Sequence, residues 1–344
     1  MPAEPGKIPA PIRNIRELHA HLQTALEVEH STIPPYLCAL YSIKDGLNLE
    51  AAELIRSVVM EEMLHMILVA NVLNAIDGKP NLTHAKFVPH YPAYLRHSNR
   101  AFVISLEKFS PTSVDTFLKI ERPGKAGAPV ERGEYATLGQ FYQHIKKGLK
   151  DVCKANKYFN GKASKQITSE YYYGGGGDPI RVSNVDDACG ALDVITDQGE
   201  GIRNSITDGD HQIFHQGKEL AHYFRFKEIA LGRYYTGKDT PKSGPTGTAL
   251  PVDWNGVYNM RPNPKTGYYP QGTDLWVKSR QFCRAYRDLL ARLEDGMNGQ
   301  PERLIAAVAG MYDLKYKAVA LMKTPCDDSG MTAGPSFEYV PPNE

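Results

Sequence analysis

The sequence predicts an all-α protein, a four-helix bundle assembled from two helix pairs. Three observations carry that expectation. Residues 14–77 and 183–235 each show apolar residues at helical spacing with a short break in the middle, the pattern of two antiparallel helices. A long crossover, residues 78–182, separates the pairs. Acids and histidines stand on the apolar seams of these helices, where a core tolerates them only if they are paired or bind a cation.

The first helix begins at Asn14, with Glu17 three residues on at the capping-box position. Leu18, Leu22 and Ala25 form its seam, and Pro34-Pro35, which lack backbone donors, should kink or break it. The second helix starts near Asn48 and runs to about Ile76. Asp77-Gly78-Lys79-Pro80 stops it, with Gly78 expected in the left-handed conformation past the helix end. Within the crossover, helices are expected near 111–120 and 137–154, then Tyr171-Tyr172-Tyr173 and four glycines, Gly174 to Gly177. The glycine run lacks the lysine and the following helix of a phosphate loop, so a mobile segment is expected, and the three tyrosines before it leave open a role as a lid over the site.

The third core helix is expected from Ser183 to about Ser205 with Asp186 as capping partner. The fourth follows the Asp208-Gly209-Asp210 turn and spans about 211 to 235. Residues 236–344 read as a loop rich in Pro, Gly and Thr, a helix from Thr273 to about Gly296, another from Pro301 to about Thr324, and an irregular tail. The C-terminal helical pair should pack on the bundle within a single domain, 1–344. A bundle with one long crossover between its second and third helices is the ferritin-like arrangement.

Bulk composition excludes little else. The net charge of +1 gives no reason to expect nucleic acid, and no run approaches the roughly 18 apolar residues of a membrane span. The N-terminus has no apolar stretch of signal-peptide type. Five scattered cysteines without a CxxC pair argue against a disulfide framework or zinc ribbon, so a cytoplasmic setting is expected.

The seams carry the chemistry. On the first helix the stripe continues to Glu29, then Thr32 and Tyr36; on the second, Glu62 and His65 interrupt Ile55, Val58, Val69 and Val72. On the expected fourth helix Glu219 and His222 repeat the pair three residues apart, with His215 on the same seam as a supporting or core residue. Residues three apart share a helix face, so each Glu-x-x-His pair can aim a carboxylate and an imidazole at one point. Two such pairs, with one further Glu from each of two other helices, form the ligand set of carboxylate-bridged dinuclear sites. Four carboxylates offset two divalent ions, and oxygen and imidazole donors without thiolate suit iron, with manganese as the alternative. Glu200 is the remaining candidate, although it falls beside the seam Leu192, Ile195, Gly199 and not on it. The glycines around it mark either an irregularity or a space kept clear. Tyr36 is either a catalytic lining residue or ordinary core. His30 and Glu61 fall off the seams and are expected to face solvent or form ion pairs.

The segments EHSTIPPYL (29–37), EEMLHM (61–66), DQGEG (197–201) and ELAHYFRFKEI (219–229) resemble the ferritin-like domain of iminophenylpyruvate dimer synthases, enzymes that couple oxidised tryptophan-derived imines in bisindole pigment synthesis. The resemblance extends to FLKIERP (117–123) and TAGPSFEYV (332–340). It implies Glu29, Glu62, His65, Glu200, Glu219 and His222 as metal ligands and metal-dependent oxidation of a small molecule as the activity. The resulting expectation is a two-iron oxidoreductase using O₂ or peroxide on a small organic substrate, with no nucleic-acid or membrane partner and with self-association left open. Ferroxidase chemistry or a metal-free structural bundle are the competing readings.

Overall fold

The computed structural model describes residues 10–96, 100–124, 135, 137–172, 174–202, 205–211 and 218–341. Eight α-helices appear among them: α1 (Ile15–Ser42), α2 (Leu49–Ala75), α3 (Pro111–Ile120), α4 (Leu138–Val152), α5 (Val185–Glu200), α6 (His222–Leu231), α7 (Asp274–Met297) and α8 (Arg303–Met322). A two-stranded antiparallel ribbon, β1 (Thr207–His211) and β2 (Lys218–Leu220), precedes α6.

α1 starts as its sequence dictates. The Asn14 side chain accepts from the Glu17 amide at 3.0 Å, and the Glu17 carboxylate accepts from the Arg13 amide at 2.7 Å. Pro34 and Pro35 do not break the helix, which continues to Ser42. Pro35 cannot bond the Ser31 carbonyl, and the buried Tyr91 hydroxyl donates to that oxygen instead at 2.7 Å.

α2 is long and apolar enough by composition to cross a membrane, but 89% of that stretch is buried inside the protein, as its central helix. It ends with the Gly78 amide on Leu73 O and the Asp77 amide on Asn74 O. The left-handed residue there is Asp77 (φ 58°), not Gly78. Gly78 is required for space, because a Cβ would lie 2.3 Å from Leu73 Cδ1.

Around the core, α1 packs on α2 and α4, and α5 packs on α2 and α4, so the crossover helix α4 closes one ring of four. α3 packs on α1 and α6, while α6 also touches α2 and α5. The crossover is thus part of the bundle. α7 and α8 pair with each other and rest on α2 and α1, respectively.

Two boundaries differ from expectation. α5 is capped by Asn184, whose side chain accepts from the Asp187 amide in place of the expected Ser183 and Asp186, and it stops at Glu200, short of Ser205, because Gly201 turns at φ 90°. The fourth helix begins only at His222. The ribbon occupies residues before it, and the extended Ala221 caps α6.

Candidate metal centre

Glu29 from α1, Glu62 and His65 from α2, Glu121 just past α3, and His222 at the start of α6 converge in the interior, each at most 3% exposed. Two groups form. Donor atoms of Glu29, Glu62 and His65 lie within 4.8 Å of one another, as do those of Glu62, Glu121 and His222. Glu62 belongs to both.

Each imidazole is oriented by a residue behind it. Gln198 donates from Nε2 to Gly176 O at 2.7 Å, which turns its Oε1 toward His65 Nε2 at 2.9 Å. His65 therefore presents Nδ1 to the acids, 3.1 Å from Glu29 Oε2 and 3.9 Å from Glu62 Oε2. His222 Nε2 donates to Glu61 Oε2 at 2.8 Å, leaving Nδ1 inward, 3.2 Å from Glu62 Oε1 and 3.5 Å from Glu121 Oε2. Neither approach has hydrogen-bond geometry, so His222 Nδ1 is a buried nitrogen without a bonded partner. Burial would lower the pKa of both histidines, but the carboxylates outweigh it and raise both, His222 far more. Glu62 is pushed up to about 7 by burial and then by Glu121 and Glu29.

Two tyrosines hold the outer acids. Tyr36 donates to Glu121 and Tyr142 to Glu29, while Thr32 donates to Glu62 Oε2 at 2.9 Å. Burial, then the facing carboxylates, keeps both phenols far above their ordinary range, so they remain donors. Behind His222, Arg225 forks onto Glu61 at 2.7 and 3.1 Å and reaches Asp208 at 3.2 Å and Glu219 at 3.3 Å. Burial would raise Glu61, but Arg225 and His222 reverse this and hold it low.

Of the six expected ligands, Glu29, Glu62, His65 and His222 are brought together. Glu219 lies on β2, where its carboxylate pairs with Arg225 at 3.3 Å, in a group with Glu61 and Asp208. Because the ribbon replaces the start of the fourth helix, Glu219 and His222 do not share a helix face. Glu200 lines the same cavity, but its oxygens accept from the amides of Gly124 at 3.0 Å and Gly139 at 2.8 Å. Gly201 ends α5, and Gly199 faces Glu121, where a Cβ would lie 3.5 Å from Oε2.

Tyr36 touches the site through Glu121. Glu61 is buried and ion-paired. His30, expected at the surface or in an ion pair, is buried instead, bonded to Tyr286 and packed on Phe87. His215 lies outside the described residues. Gly175 and Gly176 run along α2: a Cβ on either would meet Met60 or Glu61 at 2.5 Å. Sequence reasoning missed Glu121, Tyr142, Gln198 and Arg225. Glu121 was legible, since Val114, Phe117 and Glu121 continue one seam.

Ile120, Leu138, Tyr142, Ile195, Thr196 and Gly199 surround the acids on the α4–α5 side. About 10 Å³ is open to the centre of a water molecule, room for one.

This is a carboxylate-rich centre inside a helical bundle with a long crossover. Residues 22–231 match the Ferritin-like family, and the chain belongs to it. Two curated relatives match: a dichlorochromopyrrolate synthase of Lentzea aerocolonigenes, 28% identical over 82% of this chain and 29% of its own, and a 2-imino-3-(indol-3-yl)propanoate dimerase of Chromobacterium violaceum, 25% identical over 97% of this chain and 35% of its own. The chain thus spans about a third of the length of these relatives, which agree with the motif resemblance. A crystal structure of a ferritin-like protein from Caulobacter vibrioides superposes with a TM-score of 0.67 and 21% identity, covering 96% of this chain and 100% of that one.

Proposed function

We propose that this protein is a non-haem, two-metal oxidoreductase, with iron as its metal, that acts on a small amino-acid-derived molecule with O₂ or peroxide. The observation that carries the reading is the orphaned His222 Nδ1 among acids that share Glu62. A buried imidazole nitrogen facing two carboxylates without bonding either suits a cation between them. Glu29, Glu62 and His65 would hold one ion, and Glu62, Glu121 and His222 the other. The donors are oxygen and imidazole only, a set that fits iron or manganese. The names of the two relatives support the amino-acid-derived substrate class.

Bound there, the ions would supply one-electron steps and activation of the oxidant. The chain's own residues do the rest. Gln198 Oε1 and Glu61 accept from the two Nε2 atoms, which would leave each Nδ1 to hold an ion. Tyr36 and Tyr142, held as donors, fix the outer oxygens of Glu121 and Glu29. Three carboxylates offset three of the four positive charges of two divalent ions. Ile120, Leu138 and Ile195 give the described part of the cavity beside the acids an apolar lining.

Anaerobic loading with Fe(II), followed by optical and Mössbauer spectra on exposure to O₂, tests the reading. Two irons per chain, magnetically coupled after oxidation, are expected. A single iron, or two that never couple, would contradict it.

A further inference from the structure

α8 presents one face to α7 and α1 and another to solvent. Leu304, Ala307, Leu314, Ala318 and Leu321 are buried on the first. The second is also apolar. Ile305, Tyr312 and Tyr316 are 60%, 60% and 71% exposed, and Ala309 and Ala320 are exposed on the same stripe. At 100° per residue these five fall on one narrow face, where a surface helix ordinarily carries charge. An apolar stripe of this length, with two tyrosines at its middle, has the composition of an interface core.

We propose that a second copy of this chain covers the stripe, with the two α8 helices antiparallel about a two-fold axis passing between Tyr312 and Asp313. The sequence of the stripe selects that partner. In this register Ile305 faces Ala320 and Ala309 faces Tyr316, a large side chain against a small one at both places and twice over by symmetry, while Tyr312 lies beside the axis next to Asp313 of the other copy. At the stripe's ends, exposed Glu302 meets exposed Lys323 of the other copy. The Lys323 ammonium lies 5.7 Å from the centre of the Tyr258 ring. Antiparallel helix dipoles favour the arrangement. Asp313 next to the axis is neutralised within its own helix by Lys317, which removes the like-charge contact the symmetry would otherwise create. A parallel pairing would set Tyr316 against Tyr316 and Lys323 against Lys323.

Sedimentation of the full chain tests the proposal. At roughly 10 µM, a concentration at which a standard interface is occupied, the wild type should run at twice the 38.2 kDa chain mass. Ala309→Glu with Tyr316→Glu, both at exposed positions, should weaken dimerisation at least about a hundredfold with unchanged helicity. Cysteine pairing then reads the register. Asp313→Cys should link to itself, Glu302→Cys should not, and Glu302→Cys mixed with Lys323→Cys should. A monomeric wild type, a dimer that survives the double substitution, or self-linking at Glu302→Cys would each overturn the proposal.

Discussion

Replacing Arg225 by Met probes the support behind the centre. The guanidinium makes two bonds to Glu61, at 2.7 and 3.1 Å, one to Ser57 Oγ at 3.0 Å, and ion pairs with Asp208 and Glu219. Glu61 and Asp208 are 1% and 5% exposed, so water cannot take its place. Removing one member of a buried ion pair costs about 3–5 kcal/mol, because the other charge is left uncompensated. With an unfolding entropy of about 2.1 cal/mol/K per residue, the chain of 344 residues should lose about 4–7 °C in Tm. Arg225→Lys keeps the charge but not the fork and should fall between. Glu61→Leu placed in the Arg225→Met background should restore about 1–3 kcal/mol, the coupling of two groups in one network. Urea and thermal melts of the full chain measure all three. A loss under about 1 kcal/mol for Arg225→Met, or strict additivity of the double variant, would refute the reasoning.

Three more outcomes follow from the structure. Gly176→Ala forces a Cβ to 2.5 Å from Glu61 Cγ at a φ of 88°, and should cost about 1–3 kcal/mol in urea melts, whereas Gly190→Ala, within α5 and open to space, should gain about 0.5–1 kcal/mol. Burial raises the Glu228 carboxyl to about 7, against an unfolded value of about 4.3, so its contribution is intact at low pH and lost as pH climbs through 7. Glu228→Gln should therefore stabilise the protein by up to about 3 kcal/mol at pH 8 and by under about 1 kcal/mol at pH 5, as melts at the two pH values will show. Gln198→Leu, which frees His65 Nε2 from its acceptor, should weaken Mn(II) binding about 10–100-fold in calorimetric titrations.

The helix pairs were legible because their seams keep a 3.6-residue period. Leu18, Leu22 and Ala25, or Ile55 and Val58, are all fully buried. The same period exposed Glu29, Glu62 and His65. It failed at Glu219, because a three-residue spacing means a shared face only in a helix, and a ribbon held through Arg225 and Asp208 intervenes. Pro35 misled for a tertiary reason: the hydroxyl that satisfies Ser31 O belongs to Tyr91, sixty positions away by sequence separation. Glu121 ends a short helix in the crossover, outside the two helix pairs whose seams carry the expected ligands, yet it completes the second group of acids. Tyr142 and Gln198 carry no signal in their spacing. Among Phe141, Ile145 and Leu149 a tyrosine looks like core, and only the fold shows the Glu29 oxygen in front of its hydroxyl.

The proposed function requires two cations among Glu29, Glu62, His65, Glu121 and His222. The most direct test counts metal per chain after anaerobic Fe(II) loading and desalting, in the wild type, Glu121→Gln and Glu200→Gln. Two irons in the wild type and in Glu200→Gln, with at most one in Glu121→Gln, are predicted. Full loading of Glu121→Gln alongside loss in Glu200→Gln would place the second ion elsewhere and contradict the assignment.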